Sequence, residues 1–334
     1  MSRRVLFLMS MALLMLLSGC AQKVNVRALE PAEIDRVANT KKIAVMAFEN
    51  DRVGLSGKIE ANLASFKIDS KSYFTMISRN DLNKIISEQR VQNSGLVNQK
   101  TAVKVGELIG AQAIISGNVA KPTSEDSYFY EIRTRCADKK CSELVYYQVR
   151  CKKRAVGLSA ELRIVDVQRG DIIFGDTLNK YAEYKHCSDY SNALPSTEMA
   201  AQRLATSMAN EFTYRLTPHY KVFGVTLLEE PDLDYTDEQE KLLEVSLQYI
   251  EHGRFDKAEQ FLSELIDSTG SQSYVAFYNL GVTKEAQGNY KEAKEYYEQA
   301  DSLMLEPVEE INAAVLRIDS LIQKRQKTRE QIER

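Results

Sequence analysis

Residues 155–176, AVGLSAELRIVDVQRGDIIFGD, set the tightest limit on what this chain can fold into. Val156, Leu158, Ala160, Leu162 and Ile164 alternate with polar or charged residues such as Ser159, Glu161 and Arg163. A period of two puts one set of side chains on a buried face and the other toward solvent, so the stretch is a half-buried strand. Gln168-Arg169-Gly170-Asp171 is a tight turn, because Gly170 takes a positive φ at no steric cost. Ile172, Ile173 and Phe174 begin a return strand. A long antiparallel hairpin therefore lies mid-chain.

Upstream, strands alternate with helices. The apolar run at residues 43–48 fits a buried strand. Ser56 is a plausible N-cap for a helix carrying Ile59, Leu63 and Phe66. Residues 73–77 give a second strand, and residues 78–81 cap a helix with Leu82, Ile85 and Ile86 inward. Thr101 caps a third helix with Val105, Leu108 and Ile109, which Gly110 stops before a third strand at 113–119. Downstream, Ser196 opens a helix with Met199, Leu204, Met208 and Phe212 on related faces. Pro218 ends it, and residues 220–228 form a last strand. The expectation is an α/β (α+β) sandwich-like domain with a mixed sheet and long antiparallel hairpins over 41–230. Glu229 to Asp237 is acidic and marks its boundary.

A chain of 334 residues exceeds one small core. From Glu238 the pattern turns helical, and a segment repeats. Gly253-Arg254-Phe255-Asp256-Lys257-Ala258 aligns with Gly288-Asn289-Tyr290-Lys291-Glu292-Ala293, 35 residues on. Phe277, Leu280-Gly281, Tyr297, Ala300 and Pro307 fall where the tetratricopeptide pattern places its signature residues. Residues 237–334 thus read as an all-α module of two such repeats plus a closing helix with Ile311, Val315, Ile318 and Ile322 inward. Arrays of this kind hold a peptide or partner in a concave face. Phe277, Leu280, Tyr290 and Tyr297 are its candidate partner contacts.

Arg3, Arg4 and an apolar run from Val5 to Leu17 lead into Leu17-Ser18-Gly19-Cys20. The run is short for a membrane-spanning helix, which needs about 20 residues. Small residues before a cysteine resemble the lipobox of bacterial lipoproteins. The resemblance makes residues 1–19 a signal peptide and Cys20 the lipidated N-terminus, its acyl chains (palmitate among them) the only covalent group expected. Acyl chains contribute ~0.8 kcal/mol per buried CH₂, enough for stable anchoring when several are attached. Ala21 rather than Asp, by the sorting rule of enteric lipoproteins, implies the outer membrane, with the protein facing the periplasm. Residues 20–40 are polar and read as a tether.

Four cysteines follow Cys20. An even number in an oxidising compartment is most simply two disulfides. Strands at 127–135 and 142–150 around Ala137-Asp138-Lys139-Lys140 make Cys136 face Cys141. The central hairpin sets residue 152 opposite Cys187 and leaves Cys151 one step away. The expected pairs are Cys136–Cys141 and Cys151–Cys187. A zinc site using these cysteines and His186 is the alternative, and it requires reduced thiols.

The order KKIAVMAFEN, YFTMISRNDLNKIISEQ, VGELIGAQAIISGNV and LSAELRIVDVQRGDII resembles the family of the curli secretion lipoprotein CsgG, a group that includes LpoB-like and FlgO-like lipoproteins. The likeness covers roughly residues 41–229 and rests on order and spacing. It implies an envelope lipoprotein, and for the curli members a ring whose protomers each give two membrane hairpins. Membrane strands need about 9–11 residues with an apolar outward face. Residues 127–154 are long enough but carry Glu131, Arg133, Arg135, Arg150 and Lys152. Residues 181–192, YAEYKHCSDYSN, are short and polar. The second spanning hairpin is therefore expected to be missing.

No nucleophile elbow, P-loop or His-Glu-x-x-His helix occurs, and the three histidines lie in separate contexts. No catalytic residue, metal or cofactor is expected. A net charge of −3 with no basic, aromatic-interleaved cluster excludes nucleic acid as the natural partner. The expected function is a non-enzymatic outer-membrane lipoprotein that assembles or activates an envelope machine through protein contacts: a peptidoglycan synthase, a flagellar ring or surface-fibre export. The alternative is a curli-type, ring-forming secretion channel. Its partners are the membrane, through the lipid, and an envelope protein, with homo-oligomers left open.

Overall fold

The computed structural model describes residues 22–78 and 99–333. Two units emerge: one of residues 32–218 with 331–334, the other of residues up to 31 and 219–330. Residues 79–86 of the second expected helix, and Cys20, fall outside the described residues.

The first unit is built on a six-stranded mixed sheet. Strands β2 (Lys42–Val45), β5 (Thr75–Met76) and β6 (Ala113–Val119) run parallel, with β2 in the middle. β8 (Leu144–Asp166) then joins β6 antiparallel, and β7 (Thr123–Cys136) and β9 (Ile172–Cys187) pair with β8 on either side. The small hairpin β3 (Lys67–Ile68) and β4 (Lys71–Ser72) is separate. Helices cover both faces of the sheet, which is why β2 and β6 are apolar runs rather than alternating ones. On one face α2 (Leu55–Ser65) and α4 (Thr197–Leu216) bury Ile43, Ile115, Leu162 and Ile164 against Leu63, Met208 and Phe212. On the other, α3 (Gln99–Ile109) packs Ala102 and Val105 on Ala44, Ile114 and Val165.

Several local expectations are corrected. Ser56 lies inside α2. The Asp51 carboxylate does the capping, accepting from the Leu55 and Ser56 amides (2.8 and 2.9 Å) and from the Ser56 hydroxyl. α3 already contains Thr101. Met199 is half exposed, because it occupies the first turn of α4, where the Ser196 hydroxyl accepts its amide (3.1 Å). Residues 20–40 are not simply a polar tether. Residues Lys23–Glu30 form β1, with Val24, Val26 and Ala28 buried, and Asp35–Ala38 form the short helix α1.

β1 pairs over its whole length with β10 (His219–Thr226), antiparallel. The last strand therefore belongs with the helical unit and not with the main sheet. That unit holds α5 (Asp237–Glu251), α6 (Phe255–Ser268), α7 (Tyr274–Ala286), α8 (Tyr290–Leu303) and α9 (Glu309–Glu333) up to Glu330. Thr236 and Gln239 cap α5 reciprocally. Gly253 (φ 69°) and Gly288 (φ 81°) turn the chain inside each helical pair, which gives the 35-residue repeat its physical meaning. Val24, Val26, Val225 and Leu227 of the ribbon join Ala276, Leu280, Ala293 and Ile318 in one core.

Candidate functional site

The cysteine chemistry follows from register. A bulge between Ile164 and Val165 shifts the β8–β9 ladder, so Cys151 lies directly opposite Cys187 instead of one step away. These two sulfurs are bonded, with both residues fully buried. Cys136 and Cys141 are bonded at the exposed tip of the β7–β8 hairpin, where the Asp138 carboxylate accepts from the Ser142 amide. The Glu131 carboxylate lies within 4.8 Å of the Cys151 and Cys187 sulfurs. Those sulfurs are joined to each other, however, and Glu131 accepts from Arg133 (2.6 Å) and Lys185. His186 projects from β9 with its Nδ1 unpartnered, His219 opens β10, and His252 caps α5 through the Gln248 carbonyl (2.7 Å). The three do not converge.

Over residues 144–157 of β8, strands β7, β8 and β9 form an extension whose outer edges, on β7 and β9, pair with no described strand. One face presents Tyr128, Tyr130 and Ile132 beside Tyr146, but also Arg150 and Lys152, whose cations lie over the Tyr128 ring. The opposite face carries Phe129 and Val149 with Glu131, Arg133, Lys153 and Lys185. Asp126 is held between Arg154 (2.7 Å) and Lys152 (2.6 Å), whose hydrogen bonds push its carboxyl well below the usual range. Neither face is apolar from end to end.

In the helical unit, Phe277, Leu280, Tyr290 and Tyr297 are all buried. They are core residues rather than partner contacts, a correction with a clear cause. α7 is enclosed from Val275 to Glu285, so its polar residues must find internal partners. Glu285 is fully buried and accepts the Arg317 guanidinium twice (2.8 Å each) and the Tyr297 hydroxyl. Hydrogen bonding to Glu285 raises the Arg317 guanidinium although burial opposes it, and burial pushes the Tyr297 phenol well up. A Cβ on Gly281 would meet the Tyr297 ring at 2.6 Å, so only glycine admits this ring.

One face of α7 is already occupied by the chain itself. Asn279 grips the backbone of Leu228, accepting its amide (3.0 Å) and donating to its carbonyl (2.7 Å). The Tyr278 hydroxyl donates to the Thr226 carbonyl (2.7 Å). Asp232 accepts from the Ser273 hydroxyl (2.8 Å) and from the Tyr274 amide at the start of α7. β10 and the segment after it thus cover this face of α7. Sequence reasoning missed Asn279 and Glu285. Asn279, Thr283, Lys284 and Glu285, hydrophilic residues inside a largely apolar helix, were the available signal.

What remains open is a cavity of about 820 Å³ along α5, bordered by Gln22, Lys23 and residues 229–231. No helix among the described residues is long and apolar enough to cross a membrane.

Comparison with known proteins agrees with this division. Residues 33–189 match the family described as curli production assembly/transport component CsgG, and residues 274–303 match the tetratricopeptide repeat. No curated protein sequence matches the chain. Among solved structures, it is similar to lipoprotein GNA1162 from Neisseria meningitidis at 14% identity, over 53% of this chain and 99% of that one, with a TM-score of 0.28. It is also similar to the hypothetical protein CT253 from Chlamydia trachomatis at 11% identity, over 53% and 98%, with a TM-score of 0.27. The chain carries a CsgG-family domain over residues 33–189 and, beyond it, a tetratricopeptide repeat at 274–303.

Proposed function

We propose that this chain is a non-enzymatic lipoprotein of the outer membrane, anchored by acylated Cys20 on the periplasmic side, that assembles or activates an envelope machine through protein contacts. A CsgG-family domain joined to a tetratricopeptide repeat supports an envelope protein that works by contact. The observation that carries the accessory reading is the mixed character of both faces of the strand extension. A strand in lipid needs one apolar face, and charged side chains there cost about 2–4 kcal/mol each near the midplane. With Arg150 and Lys152 on one face and Arg133, Lys153 and Lys185 on the other, insertion is strongly disfavoured.

The second reading, a ring-forming curli-type channel, is favoured by one feature: the two unpaired edges of the extension, which offer backbone groups to neighbouring copies. Light scattering and negative-stain imaging of the full-length protein in mild detergent separate the two. A monomer or small oligomer is expected, and a ring with a central channel would replace the accessory reading. Cys20→Ser should move the protein from the membrane to the soluble fraction on fractionation. Unchanged membrane association would remove the lipid anchor from the proposal.

A further inference from the structure

We infer that the cavity along α5 is a docking groove for a Lys/Arg-bearing segment of a partner protein. The inference deepens the contact-based function proposed above by giving the partner's chemistry. Its floor is Leu243 and Leu247, both buried. Its walls carry five glutamates: Glu240, Glu244 and Glu251 from one stripe of α5, and Glu229 and Glu230 from the segment after β10. Lys23 is the one cationic residue on the lining.

None of these five carboxylates makes an ion pair among the described residues, whereas Glu131, Glu183, Glu259 and Glu285 all do. Glu229 accepts the Gln22 amide, Glu251 the Gln22 side chain (3.3 Å) and Glu244 the Gln248 side chain (3.1 Å), all neutral donors. Like charges gathered round one concave space repel each other, and Lys23 is the one cation on the lining to offset them. An incoming ammonium or guanidinium group would do so, while its aliphatic stem lies on the leucine floor. The face of α7 that carries Asn279 is filled by its contact with Leu228, whereas the groove along α5 is open to a partner segment. An extended basic segment fits the groove by charge and by its apolar base.

The test uses the full-length protein and fluorescein-labelled hexalysine, followed by anisotropy at low and at physiological salt. Saturable one-to-one binding is expected, weakening as salt rises. Glu244→Gln with Glu251→Gln should weaken it about tenfold, since each removes one facing charge. Glu295→Gln with Glu306→Gln, which makes the same charge change outside the groove, should alter it less than about twofold. Absence of saturable binding, or equal losses in the two pairs, would overturn the inference. Neither result touches the envelope-contact reading, which the light-scattering and imaging comparison decides separately.

Discussion

Arg317→Met should cost the helical unit about 3–5 kcal/mol, measured as a fall in the denaturant midpoint of its unfolding. Methionine keeps most of the stem's packing volume but removes both donors to Glu285. The carboxylate, fully buried, is then left with the Tyr297 hydroxyl alone. An uncompensated charge in a low-dielectric interior is among the costliest single lesions a fold can carry. Adding Glu285→Leu to Arg317→Met should recover much of the loss, because replacing a whole buried pair by apolar groups is close to neutral. Full recovery is not expected, since Tyr297 then lacks its acceptor. If Arg317→Met shifts the midpoint no more than an ordinary surface substitution, Glu285 is not held in the way described.

Cys151→Ala with Cys187→Ala should lower stability by about 4 kcal/mol by the loop-entropy relation, whereas Cys136→Ala with Cys141→Ala should lower it by about 2. The first bond closes residues 36 apart and the second residues 5 apart, so they restrict the unfolded chain very differently. The first also joins the two strands at the end of the β8–β9 ladder far from the turn at Gly170. Hydrogen exchange should show protection lost first at residues 145–154 and 181–187. Equal, small midpoint shifts in the two double variants would mean that the buried bond adds little to what the ladder already provides.

Much of the first unit was legible because its signals are local. The alternation from Val156 to Ile164 marks the buried face of β8, and all five of those residues are in the core. The pairing of the four cysteines was readable because a hairpin's register depends on its turn. The single-residue bulge at Ile164 was not, since a bulge leaves no mark in an alternating sequence. β1 was hidden for another reason. Val24, Val26 and Ala28 do alternate, but their partner strand lies almost two hundred residues away and no turn links them. Without a partner in view, a short polar stretch looks like a linker. The repeat was found through its glycine and alanine spacing. The same large residues that revealed it were misread as partner contacts, because a signature position in a helical repeat records packing between helices. The acidic groove escaped notice because its five glutamates come from two segments and become neighbours only through the fold.

The start of β1 at Lys23 also fixes a length scale. A flexible chain of 20 residues would let an anchored body wander through a radius of about 25 Å. If Cys20 carries lipid as proposed, only three Cα steps, about 11 Å fully extended, would separate the bilayer surface from a strand locked into the helical unit. Such a body searches for its partner in two dimensions. Encounter is then governed by density per unit area of membrane, and a partner that never approaches the surface stays out of reach however well its charges match.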